Sequence, residues 1–177
     1  MRPTVAIRYR LDLARHSCTF TVKPPGGAQM RKEYEMAMKR RATAVWKGDL
    51  KAGTGKVSTQ SKALTDLPYD FKMRFEDAPG TNPEELIGAA HAGCFSMALS
   101  GELEKAGLVA DEITTTATVT LDFPDGAPTV TVIHLDLTAK IPGATDAAFQ
   151  KAAADAKANC PISRLLKAEI TLTAKLA

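Results

Sequence analysis

The stretch from Asn82 to Lys105 constrains the fold more than any other part of the chain. Asn82 offers a capping oxygen, Pro83 fits the first helical position, and Glu85 stands three residues after the cap. Gly107 supplies a stop beyond Lys105. Between these signals the segment is apolar nearly all round from Leu86 to Leu99. Gly88, Ala89, Ala90, Ala92, Gly93, Ser96, Ala98 and Ser100 keep it small-sided. A helix that is apolar on every side is a buried one. The segment therefore predicts a central helix packed on a sheet, with a second subunit as a further candidate cover.

Strands flank this helix. ATAVW and KVSTQS, with Gly48, Gly53 and Gly55 between them, predict a β-hairpin. YDFKMRFE alternates, placing Tyr69, Phe71, Met73 and Phe75 on one face and Asp70, Lys72, Arg74 and Glu76 on the other, so it predicts a strand. After the helix, EITTTATVTLDF and APTVTVIHLDLTAKI predict two long strands around Pro124-Asp125-Gly126, the second with a bulge near Val132-Ile133. Thr145 caps an Ala-rich helix, Cys160-Pro161 opens a short one, and EITLTAKL closes the chain as a strand. Runs of strands separate from runs of helices predict an α+β fold with a mostly antiparallel sheet.

Charge divides the chain. Residues 1–41 hold ten Lys/Arg against three Asp/Glu, and residues 42–177 hold thirteen against seventeen, so the overall +3 hides a basic N-terminus on an acidic body. Residues 1–40 are expected to form a basic extension, either a partly ordered arm or sequence upstream of the native start. It holds two strand-like stretches, a break at Pro24 to Gly27, and QMRKEYEMAMKR, a helix candidate with little apolar periodicity. Its arginines are dispersed, so a solvated arm is expected and no nucleic-acid partner. Residues 41–177 are the expected functional domain. No apolar run approaches the roughly 18 residues of a membrane helix, and TVAI is too short for a signal peptide, so a cytoplasmic protein is expected.

Three cysteines are an odd count for a secreted disulfide framework and leave core, metal or redox roles open. Cys94 lies mid-helix among apolar residues, where burial raises a thiol pKa. Asn82 is twelve residues upstream, about 18 Å away, beyond reach of the helix-terminus field. A reactive Cys94 therefore needs a cation from elsewhere in the fold, and Arg74 is the candidate. Glu84 is placed to pair with Arg74 and orient it. Cys160 precedes Pro161 at a helix start, where backbone N–H groups favour a thiolate. By local physics Cys160 is the more acidic thiol. His91 and Cys94 share a helix face, and with Cys160 and His134 they make a candidate metal set, although CxxC and HxxxH spacings are missing. Cys18 is assigned no role. No glycine-rich phosphate loop or GxSxG occurs, and no cofactor is expected.

GTNPEELIGAAHAGCFSMALS (Gly80 to Ser100) and NCPISRLLKAEITL (Asn159 to Leu172) resemble the two signature stretches of the osmotically inducible protein C and organic hydroperoxide resistance (OsmC/Ohr) family. AVWKGDLKAGTGKVSTQS and LPYDFKMRFE are similar to its OsmC branch, and the resemblance runs from about Thr43 to Ala177. It implies an intertwined homodimer with active sites at the subunit interface. It implies a two-cysteine, peroxiredoxin-like peroxidase that turns organic hydroperoxides into alcohols in oxidative or osmotic stress defence. Cys94 would be the peroxidatic cysteine, Cys160 the resolving one in a Cys94–Cys160 disulfide, and Arg74 and Glu84 the activating pair. The implied reductant is a dithiol such as a lipoylated protein. The competing reading is a non-catalytic stress protein that binds a metal or a small apolar ligand through its Cys and His residues.

Overall fold

The computed structural model describes residues 7–12, 17–22, 38–76 and 78–177, the first two segments by their backbone. Contacts divide the chain into two compact units, residues 1–39 and 40–177. In the first, β1 (Ile7–Asp12) and β2 (Ser17–Val22) pair antiparallel, with Ile7 opposite Val22 and Leu11 opposite Cys18. The helix candidate in this unit lies mostly outside the described residues.

The second unit opens with a three-stranded antiparallel sheet in the order β3 (Ala42–Lys47), β4 (Thr54–Thr59), β5 (Leu67–Asp70). The predicted hairpin is present. Every residue of β3 is exposed, including Val45 and Trp46, although Trp46 leans on Tyr69 of β5 with ring centroids 5.4 Å apart.

The predicted strand through Arg74 is not formed. β5 ends at Asp70, and Phe71–Phe75 make a helical turn, α1. The cause is local: the Asp70 carboxylate accepts the Met73 backbone N–H at 2.8 Å, the bond that starts a helix. Helical spacing then brings Phe71 and Phe75 together at 4.8 Å between ring centroids. Alternating apolar residues at i and i+4 suit either conformation, and the cap decides.

The long helix α2 spans Pro83–Lys105, with the Asn82 side chain accepting the Glu85 N–H at 2.8 Å. At its other end Gly107 adopts a left-handed φ of 73°. The Gly107 N–H bonds the Glu104 carbonyl and the Leu108 N–H bonds the Leu103 carbonyl, both at 2.9 Å, a Schellman closure. The expected burial on all sides is not what this chain provides. Gly88, His91, Phe95, Leu99 and Leu103 are buried, whereas Ala89, Ala90, Gly93, Met97 and Ser100 are exposed. Met97 is 78% exposed. One chain supplies packing partners for one side of α2 only.

That side packs on a second sheet, in the order β6 (Glu112–Asp122), β7 (Thr129–Lys140), β8 (Glu169–Leu176). β6 and β7 are antiparallel around a short turn at Pro124–Gly126. Thr120 faces Val132 and Leu121 faces Val130, so Thr131 is the extra residue of the expected bulge. β7 and β8 are parallel, which makes this sheet mixed. The reason is the intervening α3 (Asp146–Asn159) and α4 (Pro161–Leu165), which carry the chain back to the starting edge as a crossover. The α+β class stands, with one parallel pair in it.

The core lies between this sheet and α2 and α3. Phe95, Leu99, Leu103, Ile133, Leu135 and Phe149 are fully buried, each stabilising the fold by about 1.5–3 kcal/mol relative to exposure. Gly88 permits a close approach of α2 to the sheet, because a Cβ there would meet the Ala117 carbonyl oxygen of β6 at 3.2 Å. Among the described residues no helix is long and apolar enough to cross a membrane.

Candidate active site

Arg74 sits in the last turn of α1, and Glu84 in the first turn of α2. The side-chain amide of Asn82 donates to the Met73 carbonyl at 3.4 Å, which ties the two helices together. Across that junction Arg74 grips Glu84 as a fork. Nη2 donates to Oε1 at 2.7 Å, and Nε lies 3.2 Å from both carboxylate oxygens. The guanidinium also rests 5.1 Å from the centre of the Phe75 ring. Glu84 engages Nε and Nη2 and leaves the Nη1 donors for another acceptor. A cavity of about 290 Å³ lies alongside, bounded by Arg74, Asn82, Glu84 and Glu85 and by Ala117, Val119 and Leu121 of β6.

The two cysteines meet elsewhere. Cys94 lies on α2, one turn past His91, and Cys160 links α3 to α4. Both are free thiols, with their sulfurs 3.2 Å apart, and Cys160 is fully buried. Burial pushes the Cys94 thiol above its ordinary pKa, and Cys160 beside it adds to that rise, against a smaller pull from the Ile162 N–H. Burial pushes Cys160 the same way but is outweighed. The backbone N–H of Ser163, the Cys94 thiol, the Ser163 hydroxyl and the Ile162 N–H together bring it below its ordinary value. No close cap hydrogen bond from the Cys160 sulfur starts α4, so these groups act as dipoles aimed at it. By geometry the Cys160 thiol donates to the Cys94 sulfur. The directions of the two shifts make Cys160 the more acidic thiol of the pair.

The four predicted residues thus fall into two pairs, Arg74 with Glu84 and Cys94 with Cys160. Glu84 and Cys94 are ten residues apart on one straight helix, about 15 Å along its axis. Within one chain the guanidinium and the Cys94 sulfur do not meet.

The candidate metal set is not assembled. His134 lies on the sheet face opposite the core, where Nδ1 meets Thr171 Oγ1 at 2.6 Å and Nε2 meets Asp136 at 3.3 Å. His91 is fully buried, with Nε2 2.8 Å from Ser163 Oγ. Among the described residues no group of three His, Cys, Asp or Glu side chains is placed to hold a metal ion. Sequence reasoning missed Ser163. The available signal was its place three residues after Cys160, where a helix-start hydroxyl faces the capping side chain.

Comparison with known proteins agrees with this arrangement of elements. The family model described as OsmC-like protein matches residues 75–175. The proteins named Peroxiredoxin OsmC of Escherichia coli and of Shigella flexneri are each 50% identical to this chain over 141 residues, covering 80% of it and 99% of the relative. An OsmC-like protein of unknown function from Vibrio cholerae superposes with a TM-score of 0.63 at 17% identity, over 77% of this chain and 99% of that one. An organic hydroperoxide resistance protein OsmC from Legionella pneumophila does so with a TM-score of 0.59 at 22% identity, over 81% and 99%. These two structures speak to the fold alone. With the family model spanning more than half of its length and half of the aligned residues shared with Peroxiredoxin OsmC, the chain belongs to the OsmC family.

Proposed function

We propose that this protein is a cytoplasmic, homodimeric thiol peroxidase that reduces organic hydroperoxides through Cys94 and Cys160. The observation that carries the reading is the pair of free sulfurs 3.2 Å apart with pKa values displaced in opposite directions. The 50% identity to Peroxiredoxin OsmC supports it. A dithiol pair kept ready in this way needs a reducing compartment.

The reaction balances in three steps. The Cys94 thiolate attacks one peroxide oxygen, forming an S–O bond and breaking O–O, and the alkoxide takes a proton and leaves as an alcohol. The Cys160 thiolate attacks the sulfenic sulfur of Cys94, forming S–S and breaking S–O, and the hydroxide leaves as water after taking a proton from solvent. A dithiol, such as a protein-bound lipoyl group, then reduces the disulfide. The sulfurs must close by roughly 1 Å to reach the ~2.05 Å of a disulfide.

A second copy completes the first step. Burial raises the pKa of Cys94, and the Arg74 of the same chain is bound to Glu84, ten residues before Cys94 on α2. The exposed apolar side of α2 and the uncovered β3–β5 sheet are the surfaces that a second copy would bury. Such a copy, related by a two-fold axis across α2, would deliver its Arg74 to this Cys94 and hold the thiolate there. Mass mapping after one equivalent of cumene hydroperoxide tests the mechanism: the reading expects a Cys94–Cys160 disulfide, and a disulfide through Cys18 in its place would overturn it.

A further inference from the structure

The two sulfurs that meet where α2 passes the start of α4 differ in what can reach them. Cys160 has no exposed surface, and it belongs to the buried cluster that includes Phe149, Ala153 and Ala156 of α3. Cys94 is only half-buried. Ala90 and Met97, one turn to either side of it on α2, are exposed, and the neighbouring Gly93 carries no side chain and faces open space. A second copy laid over α2 can only remove exposure, so Cys160 stays closed in any such assembly. Cys94 has to keep an opening, because the first step of the proposed reaction brings a hydroperoxide to its sulfur.

Thiol–disulfide exchange is an in-line displacement. The attacking thiolate approaches one sulfur from the side away from the other, and the far sulfur leaves. Cys160 offers no exposed surface for that approach. Cys94 offers the opening that peroxide already uses. We infer that the dithiol reductant attacks Cys94 and that Cys160 is the leaving group, so that peroxide and reductant reach the same sulfur by one route. Its place in turnover rests on the two-cysteine reading, but the direction of attack is measurable without peroxide.

The step balances. One reductant thiolate forms an S–S bond to Cys94 as the Cys94–Cys160 bond breaks, and Cys160 leaves as a thiolate. The second reductant thiol gives its proton to solvent and attacks the first reductant sulfur. That closes the reductant's own disulfide and expels Cys94 as a thiolate, so the reductant gives up two electrons and the protein disulfide takes them. The acidities favour the same direction. Burial pushes Cys160 up, but the Ser163 N–H and its other neighbours bring it below its ordinary value, whereas burial raises Cys94. The thiol of lower pKa leaves faster. A monothiol on Cys94 can be expelled again by Cys160, whose sulfur lies 3.2 Å away in the reduced protein, while a dithiol carries its own second nucleophile.

The test uses full-length protein oxidised with diamide, a thiol oxidant. The disulfide form is mixed with 2-mercaptoethanol for successive short times, quenched in acid, unfolded, alkylated with N-ethylmaleimide and mapped by peptide mass. At the earliest times the mercaptoethanol adduct is expected on Cys94 with the maleimide on Cys160, in excess of the reverse pattern by about tenfold or more. The same mixing in concentrated urea, where both sulfurs are open, should bring the two patterns within about twofold of each other. An adduct first on Cys160 in the folded protein, or equal adducts on both, would overturn the inference. A tenfold preference that persists in urea would also overturn it, since burial would then not be the cause. Failure of diamide to join Cys94 to Cys160 would overturn it as well. Failure of the peroxidase reading is seen separately, as the absence of that disulfide after cumene hydroperoxide.

Discussion

The two halves of the site are built to different standards. Cys94 and Cys160 sit on helices that pack over the β6–β8 sheet, against a core of fully buried Phe, Leu and Ile side chains. Arg74 and Glu84 sit at the junction of α1 with α2, next to a three-stranded sheet whose first strand is exposed along its whole length. Arg74 is about one-third exposed and Glu84 much less, so their pairing alone is a modest source of stability. One chain therefore keeps its nucleophile in a finished core and its cation in a region still short of packing partners. The nucleophile is half-buried, with its thiol pKa raised by that burial. The cation that would release it belongs to the half that a second copy is expected to complete.

The largest effects test the assignment of roles. Cys94→Ser should abolish reduction of cumene hydroperoxide with dithiothreitol as reductant, and full turnover in that variant would sink the enzyme reading. Arg74→Met should lower the rate of the peroxide step by about 10²–10³-fold, the scale for losing one charged group that stabilises a developing charge. Mixing these two variants sharpens the comparison between halves. If the cation acts across the interface, subunits exchanged at random should recover about a quarter of the normal rate, because half the dimers then hold one intact site out of two. If it acts within one chain, mixing recovers nothing.

A smaller effect is expected in assembly and stability. Met97→Glu places a charge on the exposed side of α2 and should halve the apparent mass in light scattering, if a second copy covers that side. In that monomeric form the pH at which Cys94 ionises should lie above the ordinary thiol value, and in the dimer it should fall toward neutrality. The peroxide step, which needs the thiolate, should accordingly lose more rate on acidification in the monomer. Leu99→Ala should cost about 2–5 kcal/mol in denaturant unfolding of either form. Val45→Ala should cost less than about 0.5 kcal/mol in the monomer and more in the dimer, which makes it the most discriminating of the weak probes.

Much of this was legible in the sequence, for local reasons. Asn82, Pro83, Glu85 and Gly107 mark the ends of α2 through bonds that span a few residues, and they formed as expected. The opposed tendencies of the two thiols also followed from position alone, one mid-helix and one at a helix start. The region from Phe71 to Phe75 was misread because Tyr69, Phe71, Met73 and Phe75 satisfy the period of a strand while one carboxylate, Asp70, commits the backbone to a turn. The burial of α2 was overestimated because an apolar pattern does not say whose atoms cover it. The parallel β7–β8 pair and the His91–Ser163 contact join distant parts of the chain, and no short-range pattern encodes them.

The tight seat of Gly88 on β6 has a mechanical corollary. α2 is a stiff rod of 23 residues, clamped at Gly88 against the Ala117 carbonyl and held further along by Phe95, Leu99 and Leu103. Such a rod has little freedom to slide, and Cys94 is fixed to it. The opposite sulfur hangs on a hinge between the end of α3 and a five-residue helix. When the two sulfurs close the last ångström, the short α4 has less packing to disturb than the long α2. The catalytic cycle would then be felt as a small rocking of α4 against a stationary α2, and the segment leading into β8 would carry the motion.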